Sequence, residues 1–137
     1  IMSYSKYAQI QVAKGNHPDH WRGTPSGSQN EDPNVCWCCR FGCFALMVLK
    51  VRGLNPTQAN ICPLLDEKAD LDPKRARLTE KSSPEENYIG KIKYKGHFHY
   101  VHILSKRGDG SFDCYNSDGD KIQPIKASEF LCCYKVN

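Results

Sequence analysis

The stretch His97-Phe-His-Tyr-Val-His-Ile-Leu-Ser-Lys-Arg-Gly-Asp-Gly-Ser-Phe-Asp-Cys-Tyr-Asn116 reads as strand, turn, strand. Aromatic and β-branched residues fill both arms, and Arg107-Gly-Asp-Gly110 between them is turn chemistry, so 97–105 and 111–116 are predicted to pair as antiparallel strands. On either side the same signals recur. Tyr88–Tyr94 precedes the pair as a further strand, and Lys121–Ile125 follows it as a short one. A helical turn is expected at Ala127–Leu131, with a last strand near Cys133–Val136. The C-terminal half is therefore an antiparallel sheet. Upstream, Cys39-Arg-Phe-Gly-Cys-Phe-Ala-Leu-Met-Val-Leu-Lys-Val-Arg52 is an apolar run too long for a typical strand. Gly53 follows as a C-cap, and Lys50 and Arg52 stand in the last turn where the helix dipole favours cations. The run reads as a buried N-terminal helix packed on the sheet. Asn55-Pro56 reads as the N-cap and first position of a second short helix towards Leu65. Helix first and antiparallel sheet afterwards makes the fold class α+β.

The rest of the chain is punctuation. Ala8–Val12 alternates as a short strand inside residues 1–34, an irregular entry segment rich in Gly, Pro and polar groups. Residues 66–87 are dense in charge, with sparse apolar anchors at Leu71 and Leu78, and read as a surface insertion. At 137 residues the expectation is a single domain, 1–137. The longest apolar stretch, Cys43 to Leu49, is far short of the ~20 residues of a membrane span, so no membrane partner is expected. Nineteen Lys and Arg against fifteen Asp and Glu give a net charge of +4, too weakly basic to indicate a nucleic-acid partner. The chain opens at Ile1 rather than Met, which is expected of a domain cut from a longer polypeptide or of a processed product.

Eight cysteines are many for this length, and four of them (Cys36, Cys38, Cys39, Cys43) fall within eight positions. Thiols so close on one apolar segment do not readily meet the geometry of disulfides among themselves. The expected compartment is therefore a reducing cytoplasm, of the producing cell or of a target cell. A nucleophilic thiol needs a lowered pKa, which a helix N-terminus and a neighbouring imidazolium supply, and an imidazole oriented by a third polar group. Those parts occur here in order: cysteines at the start of the buried helix, histidines opening a later strand, and Asn116 ending the next. On an antiparallel hairpin His99 and Asn116 become cross-strand neighbours, expected to lie over the helix start.

At these residues the chain resembles the papain-like cysteine peptidase superfamily. The likeness is to bacteriocin-processing (double-glycine leader) peptidases and to papain-fold bacterial toxin domains. Their nucleophile pattern, Cys-Gly-x-x-Cys-Leu-Ala-Met-x-Leu, is similar to Cys39-Arg-Phe-Gly-Cys43-Phe-Ala-Leu-Met-Val-Leu49, with Arg40 in place of Gly. His99-Tyr-Val-His-Ile-Leu104, Tyr115-Asn-Ser-Asp-Gly119 and Ala127-Ser-Glu-Phe130 resemble the later motifs. The resemblance covers roughly residues 34–131, with 66–87 unmatched. It implies a papain-like fold and a protease or deamidase with Cys39 as nucleophile, His99 as base and Asn116 as orienting residue. It also implies an oxyanion donor, for which Asn34 or Gln29 stands in place of the family's Gln. The partners it implies are a protein or peptide substrate, with an inhibitor or immunity protein for a toxin or effector domain. No cofactor and no metal are expected.

Other assignments stay open beside these. Cys36, followed by Trp37, competes with Cys39, and His97 competes with His99 on the same strand face. Asp113 competes with Asn116, although alternation puts it on the opposite face. His102 reads as a surface or hydrogen-bonded structural histidine, and Cys43 and Cys62 as small core residues. In a different class, Cys36-Trp-Cys-Cys39 with His97 and His99, or with Cys132-Cys133, is a candidate structural zinc or protein-interaction module.

Overall fold

The computed structural model describes residues 43–55, 57–66, 71–117 and 121–137. The expected strand at 8–12 and the entry segment 1–34 lie outside the described residues, as do Cys36, Cys39, Asn34 and Gln29. Among the described residues, helix α1 (Cys43–Arg52) and the short helix α2 (Gln58–Ile61), continued by a 3-10 turn Cys62–Leu64, precede six strands. These are β1 (Leu78–Lys81), β2 (Ile89–Tyr94), β3 (His97–Lys106), β4 (Phe112–Asn116), β5 (Lys121–Ile125) and β6 (Phe130–Val136). They form one sheet in the order β1-β6-β2-β3-β4-β5, antiparallel at every step. The molecule is α+β, as the hairpin and the long apolar run predict.

Local chemistry sets the meander from β2 to β5. Tyr94 pairs with His97 across a two-residue turn in which Lys95 and Gly96 both take positive φ, 49° and 83°. Such a turn matches the right-handed twist of its strands, and Gly96 carries one left-handed position without strain. Between β3 and β4, Arg107 N–H donates to Ser111 O (2.7 Å) and Gly110 N–H to Arg107 O (3.1 Å). Asp109 Oδ1 accepts from both Ser111 N (2.9 Å) and Ser111 Oγ (2.6 Å), which locks the turn.

The two faces of the sheet carry different cores. Helix α1 is buried from Phe44 to Leu49, as an apolar run without a polar face must be. It packs with Ile61, Leu64, Leu65 and Ala76 against Ile89, Tyr100, Tyr134 and Val136. The Phe44 ring meets Tyr100 at 4.1 Å and Tyr134 at 5.6 Å between centroids. Burying side chains such as Met47 and Leu49 stabilises by roughly 1.5–3 kcal/mol each. The opposite face holds Ile92, Val101, Ile103, Phe112, Cys114, Ile125 and Cys133. On that face Gly90 of β2 lies under Phe130, close enough that a Cβ there would stand 2.3 Å from the ring.

Several expectations need correction. Residues 66–87 are more than a surface insertion: Leu78–Lys81 pairs with Cys133–Val136 as the edge strand β1, and Ala76 is fully buried. Side-chain polarity gave no hint of this, because β1 contributes backbone hydrogen bonds while most of its side chains face solvent. Asn137 secures the edge by donating from Nδ2 to Arg77 O and Thr79 Oγ1, both 2.8 Å. Arg52 at the end of α1 donates to Asn137 O and to Ala76 O. Helix α2 is capped by Thr57 rather than Asn55, since Thr57 O and Oγ1 accept from the first helical N–H groups. His102 is not a surface histidine, being 5% exposed, and its Nε2 has no hydrogen-bond partner among the described residues.

Candidate active site

Strand β3 enters from the tight turn at Lys95-Gly96, so alternation places His97, His99, Val101 and Ile103 on one face and Tyr100 and His102 on the other. Strand β4 pairs with β3 through His102–Tyr115 and Ile103–Cys114, and continuing that register sets Asn116 level with Val101. His99 is therefore the diagonal neighbour of Asn116 on a shared face, a separation that two long side chains span. The structure brings the two together. His99 Nε2 lies 2.7 Å from Asn116 Oδ1, with both residues buried.

The direction of this bond follows from the rest of the network. Asn116 Nδ2 donates to Gln123 Oε1 at 3.0 Å, so the amide oxygen is the end that faces His99. A carbonyl oxygen accepts only, hence Nε2 carries the ring proton, and in the neutral ring the lone pair sits on Nδ1. The Tyr94 ring stacks on His99 with centroids 5.2 Å apart and planes at 28°, fixing the plane of the imidazole. Around it the surroundings are cationic. Lys95 and Lys121 place their ammonium groups 5.2 and 5.7 Å from the Tyr94 ring centre, and Lys121 Nζ is 3.4 Å from the Tyr94 hydroxyl.

The competing residues sort by position. His97 shares the face of His99, with its ring 6.4 Å away and its Nδ1 3.3 Å from Phe98 O, and it is half-buried. Asp113 lies on the opposite face, paired with Arg107 at 3.3 Å near solvent. Among the described residues neither hydrogen-bonds Asn116. Sequence reasoning missed Gln123 and Tyr94. Tyr94 was recoverable from the two-residue turn, which must set it opposite His97; Gln123 needed the register of β5 on β4, which pairs it with Cys114.

Of the thiols in the sheet, Cys114 and Cys133 are core residues and Cys132 is half-buried. Burial pushes the Cys114 thiol up to about 12 and Cys133 up to about 11, so both stay protonated and poorly nucleophilic near neutral pH. Cys132 is also raised, chiefly by burial. Among the described residues no group of three or more His, Cys, Asp or Glu gathers as a metal site. The described part of α1 lies at Phe44 beside Tyr100, on the sheet face opposite His99 and Asn116, while the helix start expected at Cys39 lies outside the described residues. Alternation sets the faces: Tyr100 and His99 are adjacent in the strand and point to opposite sides. No family model, no curated protein and no solved structure matches this chain.

Proposed function

We propose that this chain is a papain-like, cysteine-dependent amide or acyl hydrolase or transferase, with Cys39 as nucleophile, His99 as base and Asn116 holding the imidazole. The reading is supported by one observation, the buried 2.7 Å bond between His99 Nε2 and Asn116 Oδ1, which leaves Nδ1 as the nitrogen able to take a proton. In the reaction, Nδ1 takes the thiol proton and the thiolate attacks the substrate carbonyl carbon. The tetrahedral oxyanion is met by the Cys39 backbone N–H and by the carboxamide of Asn34 or Gln29, each such donor being worth roughly 2.7–4 kcal/mol. The imidazolium then returns its proton to the leaving amine as the carbon–nitrogen bond breaks, leaving a thioester. Water, or a second acceptor, gives a proton to Nδ1 and displaces the thiolate. Cys39 stands four residues before Cys43, a length of chain that reaches about 13 Å when extended.

The test is peptide-resolved iodoacetamide labelling of the intact chain at pH 6 and pH 8, with and without a chelator. An ordinary thiol near pKa 8.5 is less than about 1% thiolate at pH 6. Cys39 is expected to label fastest of the eight cysteines there, and His99→Ala to slow it at least tenfold. Labelling of Cys39 that ignores His99→Ala overturns the proposal. So does slow labelling of Cys36 and Cys39 together with a burst on adding chelator, the behaviour of a zinc module.

A further inference from the structure

We infer that Gln123 is a positioning residue that decides, through Asn116, which nitrogen of His99 holds the proton; its catalytic meaning rests on His99 being the base proposed above. An asparagine amide fills the same volume in two orientations. One turns Oδ1 towards His99 and demands a proton on Nε2. The other turns Nδ2 there and demands a lone pair on Nε2, which moves the proton to Nδ1 and leaves the ring unable to accept one on the side away from Asn116. What separates the orientations is the group met by the far end of the amide. Among the described residues that group is Gln123 Oε1, an acceptor 3.0 Å from Asn116 Nδ2. Asn116 is fully buried, so bulk water does not compete for the amide. The order Gln123, Asn116, His99 also aligns three polar groups head to tail, each polarising the next.

The placement of Gln123 follows from the fold. Lys121 pairs with Asn116 and Gln123 with Cys114, so alternation aims Gln123 at the face that carries Asn116 and His99. Among the described strands β5 is an edge of the sheet and most of its side chains are exposed, yet Gln123 is half-buried. A charged or apolar side chain would suit an edge strand equally well, but neither a lysine nor a leucine offers the acceptor that Asn116 Nδ2 meets.

The experiment uses the full chain with 15N-labelled histidine, read by long-range proton–nitrogen correlation at pH 8, with His99 assigned from a His99→Gln spectrum. In the unaltered chain His99 is expected to show a protonated Nε2, an unprotonated Nδ1 and a ring N–H protected from exchange. Gln123→Met keeps the length of the side chain and removes the acceptor. It is expected to speed exchange of that ring proton at least about tenfold and to bring in the Nδ1-protonated form. Gln123→Glu keeps an acceptor and is expected to restore both signatures. If Gln123→Met fails to fold, Gln123→Ala supports the same comparison. Nitrogen shifts and exchange unchanged in the Met or Ala variant, whatever happens to the melting temperature, overturn the inference. So does an Nδ1-protonated His99 in the unaltered chain. Cys39 labelling reports the hydrolase reading separately. His99-independent labelling with a tautomer governed by Gln123 removes that reading and leaves this one standing, and the reverse combination does the opposite.

Discussion

His99 and His102 stand three residues apart on β3, and alternation sends them to opposite faces with opposite consequences. His99 finds an acceptor. His102 is 5% exposed, sits between Ile89 and Tyr115 in the sheet, and leaves Nε2 without a partner among the described residues. Burial, reinforced by the nearby Lys50 ammonium, lowers its pKa to about 4. The sign of the consequence follows from linkage. In the unfolded chain this histidine binds a proton near pH 6.5 and in the folded chain only near 4, so stability is fully present above 6.5 and falls as pH drops towards 4. The full span corresponds to about 3 kcal/mol. Urea unfolding at pH 7 and pH 4.5 is expected to show this loss in the unaltered chain and much less of it in His102→Phe, which has no proton to gain. Equal losses in the two proteins would mean that other groups carry the acid sensitivity.

At the scale of elements, strands were far more legible than the helix's orientation. The starts and ends of β2 to β5 follow from alternation, from aromatic and β-branched residues and from Gly-containing turns. Burial of every residue from Phe44 to Leu49 explains why the helix was recognised but its docking face was not: a run apolar at each position has no stripe to point with. Strand β1 was illegible for the complementary reason, since its side chains are mostly exposed and its stability comes through backbone pairing with β6. Strands β2 and β6 show how tightly the elements then fit. Between Lys91 and Ile92 their register shifts, and beside the shift Phe130 covers Gly90, where an added Cβ would come within 2.3 Å of its ring. Gly90→Ala is expected to cost about 1–3 kcal/mol, the usual range for overpacking, because Phe130 must move off the sheet. Pairing that variant with Phe130→Leu should recover part of the loss in a thermal melt. A Gly90→Ala chain as stable as the original would show that the ring is not held against β2.

For the molecule as a whole, the sheet is a wall with α1 on one side and the candidate site on the other, and the strands differ in how firmly they belong to it. Sequence order supplied His99 and Asn116, because one turn joins their strands and their spacing survives any detail of packing. Gln123 depended on the register of a second turn, through residues whose polar composition specifies a reversal but not its length. This places the orienting group on the least anchored part of the site. Strand β3 is paired on both sides and carries Val101 and Ile103 into the core, whereas among the described residues β5 pairs only with β4, with Lys121, Ile122 and Pro124 exposed. Local opening free energies follow such differences in burial and pairing. Native-state amide exchange is therefore expected to be slowest in β2, β3 and the centre of β6, and at least about tenfold faster in β5 and in β1. If β5 frays on its own, conditions that open it release Asn116 from Gln123 while the core stays folded. Low denaturant should then speed exchange of the His99 ring proton before it touches the amides of β3. Simultaneous exchange of β5, β3 and the ring proton would instead show that the site opens only with the whole sheet.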